Sequence, residues 1–430
     1  MENNSNRRLL IAIGFVLFFA VVVLVWYFFY AKPLTAQSIN GTNDPFPTQK
    51  SPARFQFLTW GQEDTSTTTT EITDPLLVPL TKVWDKPATG QTFVVQNILK
   101  DTLVMVPFGT TTAEVKKSIR ATSTVLMFVD RTTGYVYGFP LERGKVFQIS
   151  NTILPGVFDA YFFNNGKDVV LRYIDQEKNK VISVLARVPS VKAEETALPL
   201  ENIRYITSEV ASIATNFKKN KISYLVTESD RSLVYTITSQ GPVVIASSPF
   251  REWDLTYGGD SLYVTTKPSA YVEGSTYSIP PFQSELSERT GLMSNPGSGG
   301  LLINSMWSNK GLTTFFSRNG DLTVIPTLTL APKCAWGNRN FLVCAVPRTL
   351  PRKTEGLPDD WIQGRVTFND DMFVIDTTTG EKYTLYTFTQ ENGLFDVTHI
   401  SIEEKNDFLS FNKKQDASLW MLNLKRIRGE

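Results

Sequence analysis

An all-β domain behind one N-terminal membrane-spanning helix is what this sequence predicts, and three observations predict it. An uncharged apolar run of 22 residues, Leu9 to Tyr30, lies near the start. From about residue 90 the chain breaks into short runs rich in Val, Ile, Tyr, Phe and Thr, separated by turn-forming clusters, with no sustained helical periodicity. Those runs recur in units of roughly 40 to 50 residues, the spacing of radially repeated sheets. Composition agrees, because 430 residues at 42% apolar can fill a large core, and 28 Phe with 15 Tyr favour pleated, half-buried surfaces. With 43 Lys plus Arg against 42 Asp plus Glu there is no global field to attract polyanions, so nucleic acid is not an expected partner.

Taken in order, residues 1–8 form a short tail and residues 9–30 the helix, since about 20 residues rising ~1.5 Å each cross the hydrocarbon. Arg7 and Arg8 precede the run and only Lys32 directly follows it, which keeps the tail in the cytoplasm. Trp26, Tyr27 and Tyr30 cluster at the far end, where amphipathic rings favour the outer interface. The expected location is therefore the cell membrane, single-pass, with the C-terminal domain extracytoplasmic. A cleaved signal peptide is the competing reading. It fits less well, because signal cores are about 7 to 15 residues long and the best nearby cleavage site, Leu34-Thr35-Ala36, begins with a large residue. A buried core helix is a further alternative. Residues 31–53 are too polar to offset the entropy of ordering and read as a flexible linker. Residues 54–89 are a lead-in segment with room for a closing strand, and they contain the low-complexity stretch Glu63 to Thr73. That stretch reads as a loop, with a glycosylated stalk as the alternative.

The rest, 90–427, reads as hairpins. Arg131-Thr-Thr-Gly134, Asn164-Asn-Gly-Lys167, Gly258-Gly-Asp260, Ser308-Asn-Lys-Gly311, Arg318-Asn-Gly-Asp321 and Thr377-Thr-Thr-Gly380 supply residues that tolerate positive φ at their tips. First strands near residues 92, 157, 209, 252, 291, 332 and 395 make seven units, and six or eight also fit the spacing. A lone four-stranded sheet buries too little apolar surface to stand alone, whereas radial stacking covers both faces of each unit. The fold class expected is thus an all-β propeller of about seven blades preceded by one transmembrane α-helix.

The hairpin pattern over residues 90 to 425, with Ser418-Leu-Trp420 ending the last hairpin, resembles the WD40-like and TolB-type β-propeller superfamily. Regular Gly-His and Trp-Asp dipeptides are missing, which departs from WD40 repeats proper. The helix together with Lys333-Cys-Ala-Trp336, Cys344-Ala-Val-Pro347 and Pro358-Asp-Asp-Trp-Ile-Gln-Gly364 resembles uncharacterised single-pass envelope propeller proteins of candidate-phylum bacteria. That resemblance implies a location and a fold and assigns no activity.

Chemistry-bearing patterns are few. Cys334 and Cys344 are the only cysteines, and a hairpin loop of three or five residues sets them opposite each other within disulfide reach, with buried free thiols as the alternative. Two thiols without further ligands do not complete a metal site, and no metal or cofactor is expected. His399, the only histidine, sits in a predicted strand as a core or strand-face residue. No Gly-x-Ser-x-Gly elbow accompanies it, and no P-loop, EF-hand or dinucleotide fingerprint is present, so no catalytic residue is assigned. Asp359-Asp360 and Asp370-Asp371 are carboxylate pairs, and propeller glycosidases use separated acids around the central pocket, so acids adjacent in sequence are weak support for catalysis. The long connection Pro347 to Gly364 is a candidate interaction loop, bringing Arg348, Arg352 and Lys353 near Asp359, Asp360 and Trp361. Its alternative is a loop whose Trp361 packs onto its own blade. The expected function is a membrane-anchored scaffold or protein-binding module with an envelope protein partner. The alternative is a glycan-active enzyme or ligand-binding sensor using the axial pocket.

Overall fold

In the computed structural model the described residues are 77–108, 111–175, 177, 179–190, 196–206, 209–350 and 356–429, with the backbone alone described over 97–121. The apolar run, its flanks Arg7, Arg8, Trp26, Tyr27 and Tyr30, and the linker lie outside them. Among the described residues no helix is long and apolar enough to cross a membrane.

Seven four-stranded antiparallel sheets make up the domain. Their first strands are Ala88–Phe108, Val157–Phe163, Val210–Thr215, Trp253–Gly258, Met293–Pro296, Cys334–Trp336 and Val397–Ile402. In six sheets the four strands follow one another in sequence. The seventh takes its outermost strand, Leu80–Trp84, from the start of the domain, paired antiparallel with Leu419–Asn423. The ring is therefore latched by its own two ends, and no blade can detach without breaking this pairing. The chain is a seven-bladed β-propeller.

Each blade interface has its own apolar core. Val125 and Met127 of blade 1 meet Val157 and Leu171 of blade 2, Val343 and Met372 of blade 6 meet Phe395 and Phe411 of blade 7, and Leu126 and Phe128 of blade 1 meet Leu419 and Met421 of blade 7. The thinnest cluster lies between blades 4 and 5, around Leu286, Leu292 and Phe315. There hydroxyls take over part of the contact: Thr276 Oγ1 bonds Ser294 Oγ at 2.8 Å across the interface. Burying both sheet faces in this way explains the alternation that turns to near-continuous apolar runs in the second strands, such as Ile222–Thr227.

Because first strands all run the same way, the domain has two faces. One carries the strand starts. The other carries the tips of the first hairpins, and the chain enters the propeller there: Leu80 pairs with Leu422 and Asn423 N–H donates to Pro79 O.

Candidate functional site

The innermost strands surround an axial channel, and two polar groups are built on those strands and on the turns that end them. Toward the strand-start face, Asp159 and Tyr161 lie two residues apart on one face of blade 2's first strand. Tyr161 Oη donates to Asp159 Oδ2 at 2.6 Å, and Arg172 Nη1 lies 3.6 Å from the same oxygen. Arg172 spans to the next blade through Nη2 to Val210 O at 2.8 Å, while its buried Nε has no partner. Burial, with the neighbouring Asp159 carboxylate, pushes the Tyr161 phenol well above its ordinary value. Burial also raises Asp254, on blade 4's first strand, against opposing pulls from Lys267 and Arg172.

His399 completes this group. It stands in a bulge between Thr398 and Ser401, with left-handed backbone at φ 51°, and its carbonyl accepts from Gln91 Nε2 of blade 1. A left-handed conformation costs a residue with a Cβ about 1–2 kcal/mol, and bulges re-aim side chains at functional rims. The side chain is reached by solvent yet walled in by protein. Burial lowers its pKa, Asp159 opposes that shift, and Arg131 reinforces it. The strand position expected from the sequence is thus met, in a left-handed conformation that the neighbouring residues do not signal.

At the hairpin-tip face the channel opens into a cavity of about 640 Å³. Lys219 and Arg339 both line it from left-handed turn positions, φ 55° each. Lys219 Nζ has Thr215 Oγ1 at 3.4 Å, and burial lowers its pKa to about 8. Trp336 forms part of the wall, anchored through Nε1 to Asn295 O at 3.0 Å and pressed on Gly297, where an added Cβ would lie 2.7 Å from the indole. Three acids line it, Asp260, Glu403 and Glu404, and the first two are occupied. Asp260 accepts from Asn216 Nδ2 at 3.0 Å and pairs with Lys221 at 3.5 Å. Glu403 Oε2 accepts from the Lys405 and Asp407 amides at 2.9 and 3.4 Å, closing its own turn.

Of the sequence-derived candidates among the described residues, Cys334 lines this cavity and the others lie elsewhere. Cys334 and Cys344 face each other across paired strands and form a disulfide, S–S 2.09 Å. In the long connection, Arg352 and Lys353 lie outside the described residues. Arg348 grips Asp371 through two bonds of 2.9 and 2.7 Å and also reaches Phe388 O. Asp359 accepts from Ala270 N, and Asp360 accepts from Gly356 N and pairs with Arg365 at 2.9 Å. Trp361 is buried, its Nε1 bonded to both oxygens of Asp396 at 3.1 Å. Beneath it lies a group that sequence reasoning missed: Lys333, fully buried, between Asp370 at 2.8 Å and Asp396 at 2.5 Å. Burial raises Asp370 to about 6 in spite of Lys333. Asp159, Tyr161, Arg172, Asp254 and Lys219 were missed too, because each is an unremarkable polar residue in a strand or turn until the ring closes.

Among the described residues no group of three or more His, Cys, Asp or Glu is arranged to hold a metal ion. No family model matches the chain, and no curated protein matches it. By shape it is similar to several solved structures, at low identity. Oligogalacturonate lyase from Vibrio parahaemolyticus is 9% identical, with 79% of this chain and 98% of that one covered at a TM-score of 0.45. The β-propeller domain of the trilobed protease from Pyrococcus furiosus is 10% identical, with 76% and 95% covered at 0.43. Hydrazine synthase from Kuenenia stuttgartiensis is 13% identical, with 65% and 80% covered at 0.42. The propeller expected from the sequence is borne out as a fold by the seven four-stranded sheets themselves. The narrower resemblance to envelope proteins of candidate-phylum bacteria finds no support in these comparisons.

Proposed function

We propose that this protein is a membrane-anchored, extracytoplasmic recognition module that holds a protein partner of the cell envelope at the hairpin-tip face of its propeller. The observation that carries this reading is how the charges in the axial mouth are used. Asp260 and Glu403 are tied into the turns that shape the rim, whereas the Thr215 hydroxyl is the one partner of the Lys219 ammonium among the described residues. A mouth of about 640 Å³ that sets Lys219 and Arg339 beside Trp336, with Asp260 and Glu403 already engaged, suits an inserted side chain or chain end bearing a carboxylate. The uncharged run Leu9 to Tyr30 supplies the anchor, and anchoring raises the effective concentration toward partners in the same layer, so a modest interface suffices.

A second reading, a glycan-active enzyme, draws on the other end of the channel. There Asp159, and Asp254 with its raised pKa, flank Arg172 near the strained His399. One experiment separates them: crosslinking the full-length protein in native membranes and purifying it, beside the variant Lys219→Glu/Arg339→Glu and the variant Asp159→Asn/Asp254→Asn. A partner captured by the wild type and lost with the charge-reversed mouth supports recognition. No partner, together with glycan turnover that disappears in the Asp→Asn variant, replaces it with the second reading.

A further inference from the structure

Blade 1's first hairpin does not stop where the other six stop. Its strands Ala88–Phe108 and Thr111–Asp130 stay in register out to Phe108 opposite Thr111, while the blade's third strand pairs only with Val125–Val129. The outer 12 residues of the first strand, 97–108, therefore leave the blade as a two-stranded arm, about 40 Å long at ~3.4 Å per residue. It leaves from the hairpin-tip face, the face on which the chain enters at Leu80.

A bare two-stranded ribbon is marginal in water, and the composition of this one indicates what covers it. The outer end of the first strand reads Leu103-Val-Met-Val-Pro-Phe108. By register, the pairs Val104 with Val115, Val106 with Ala113 and Phe108 with Thr111 share one face that carries no charge. Lys100, Lys116, Lys117 and Arg120 are set back toward the blade, against only Asp101 and Glu114. An apolar tip with a basic collar behind it is the arrangement that favours an anionic phospholipid interface, the apolar residues entering the acyl boundary while the basic ones stay among the headgroups.

We propose that this arm is a second membrane contact, seating its tip in the interface of the same bilayer that holds Leu9 to Tyr30. The inference rests on the anchored reading above. Insertion stops at the last few residue pairs, about 10 Å, because the unpaired edges of a ribbon expose backbone groups that are costly in hydrocarbon. The axial mouth then faces the membrane at arm's length, and the partner it meets is one that projects from that membrane.

The test uses the full-length protein in vesicles of mixed zwitterionic and anionic phospholipid, spin-labelled at Val106→Cys or, as a reference on the opposite face, at Ser229→Cys, the native cysteines being held in their disulfide. The expected result is that label 106 is several-fold more accessible to oxygen than to a water-soluble nickel complex, while label 229 shows the reverse. Equal nickel accessibility at the two sites overturns the proposal, as does dipolar broadening between labels at 106, which would mean that arms of two copies pair. Alkaline extraction of the same vesicles reads the anchor separately. Protein that resists extraction with a water-exposed label 106 keeps the anchor and loses the arm. Protein that is extracted while label 106 was lipid-immersed loses the anchor and keeps the arm.

Discussion

Lys333 shows how a single residue can govern this fold from inside. Its ammonium is enclosed by Asp370, Asp396 and the Val397 carbonyl and lies 5.2 Å from the Trp361 ring. Removing one partner of a buried ion group leaves the others uncompensated at a cost of about 3–5 kcal/mol, so Lys333→Met should lower the urea midpoint by that equivalent. The acid side has a sign of its own. Asp370 titrates at about 6 in the folded chain, above the ~3.9 of an unfolded aspartate, so the native state holds the proton more tightly. Stability should therefore fall as pH rises from about 4 to about 6 and level off above. Asp370→Asn should remove that slope, as urea titrations across the window would read. At the mouth the logic reverses. Lys219 carries its charge only below about 8, so capture of an acidic partner should weaken as pH rises through that value and become pH-insensitive in Lys219→Met, measured by binding assays on either side. His399 gives a third test: His399→Gly relieves a left-handed backbone and should stabilise the domain by up to about 1 kcal/mol. A loss of stability instead would show that the imidazole holds the channel together.

At the scale of elements, the hairpin is the unit that was legible. The tips Asn164-Asn-Gly-Lys167 and Arg318-Asn-Gly-Asp321 turn where their residues tolerate positive φ, with Asn164, Gly166, Asn319 and Gly320 all left-handed. The disulfide is legible for the same local reason, since ten residues of separation with a short turn place Cys334 opposite Cys344. By loop-closure entropy it contributes about 2–3 kcal/mol, and reduction should lower the thermal midpoint without loosening other blades. The long connection after blade 6's second strand was legible as unusual but not as to its purpose. Arg348, Asp359 and Trp361 each meet partners distant in sequence, as Asp359 does at Ala270, 89 residues away, while Asp360 closes its own turn on Gly356 and Arg365. Its Trp361 roofs the ion group around Lys333, a burial that no local pattern announces. Gly297 is similar: only the packing of Trp336 against it shows why glycine stands there, and Gly297→Ala should cost about 1–3 kcal/mol by overpacking.

For the whole molecule, the decisive contact is the latch between Leu80–Trp84 and Leu419–Asn423. Deleting residues up to Trp84 leaves blade 7 with three strands and exposes the edge of Leu419–Asn423. The expected outcome is loss of a single cooperative unfolding transition, read by urea denaturation followed through two probes. The uncharged N-terminal run, the repetition of similar units, the turn positions and the disulfide spacing were legible in the sequence itself, because each is carried by residues within one stretch no longer than a repeating unit. Only the tertiary structure decided which polar residues share the channel, that Lys333 lies between two aspartates, and that the chain enters on the same face as the axial mouth and the arm. Closing a ring brings together groups as far apart as Gln91 and His399, 308 residues distant, and a contact of that range leaves no local period or turn signal, since it depends on the geometry of seven sheets packed around one axis.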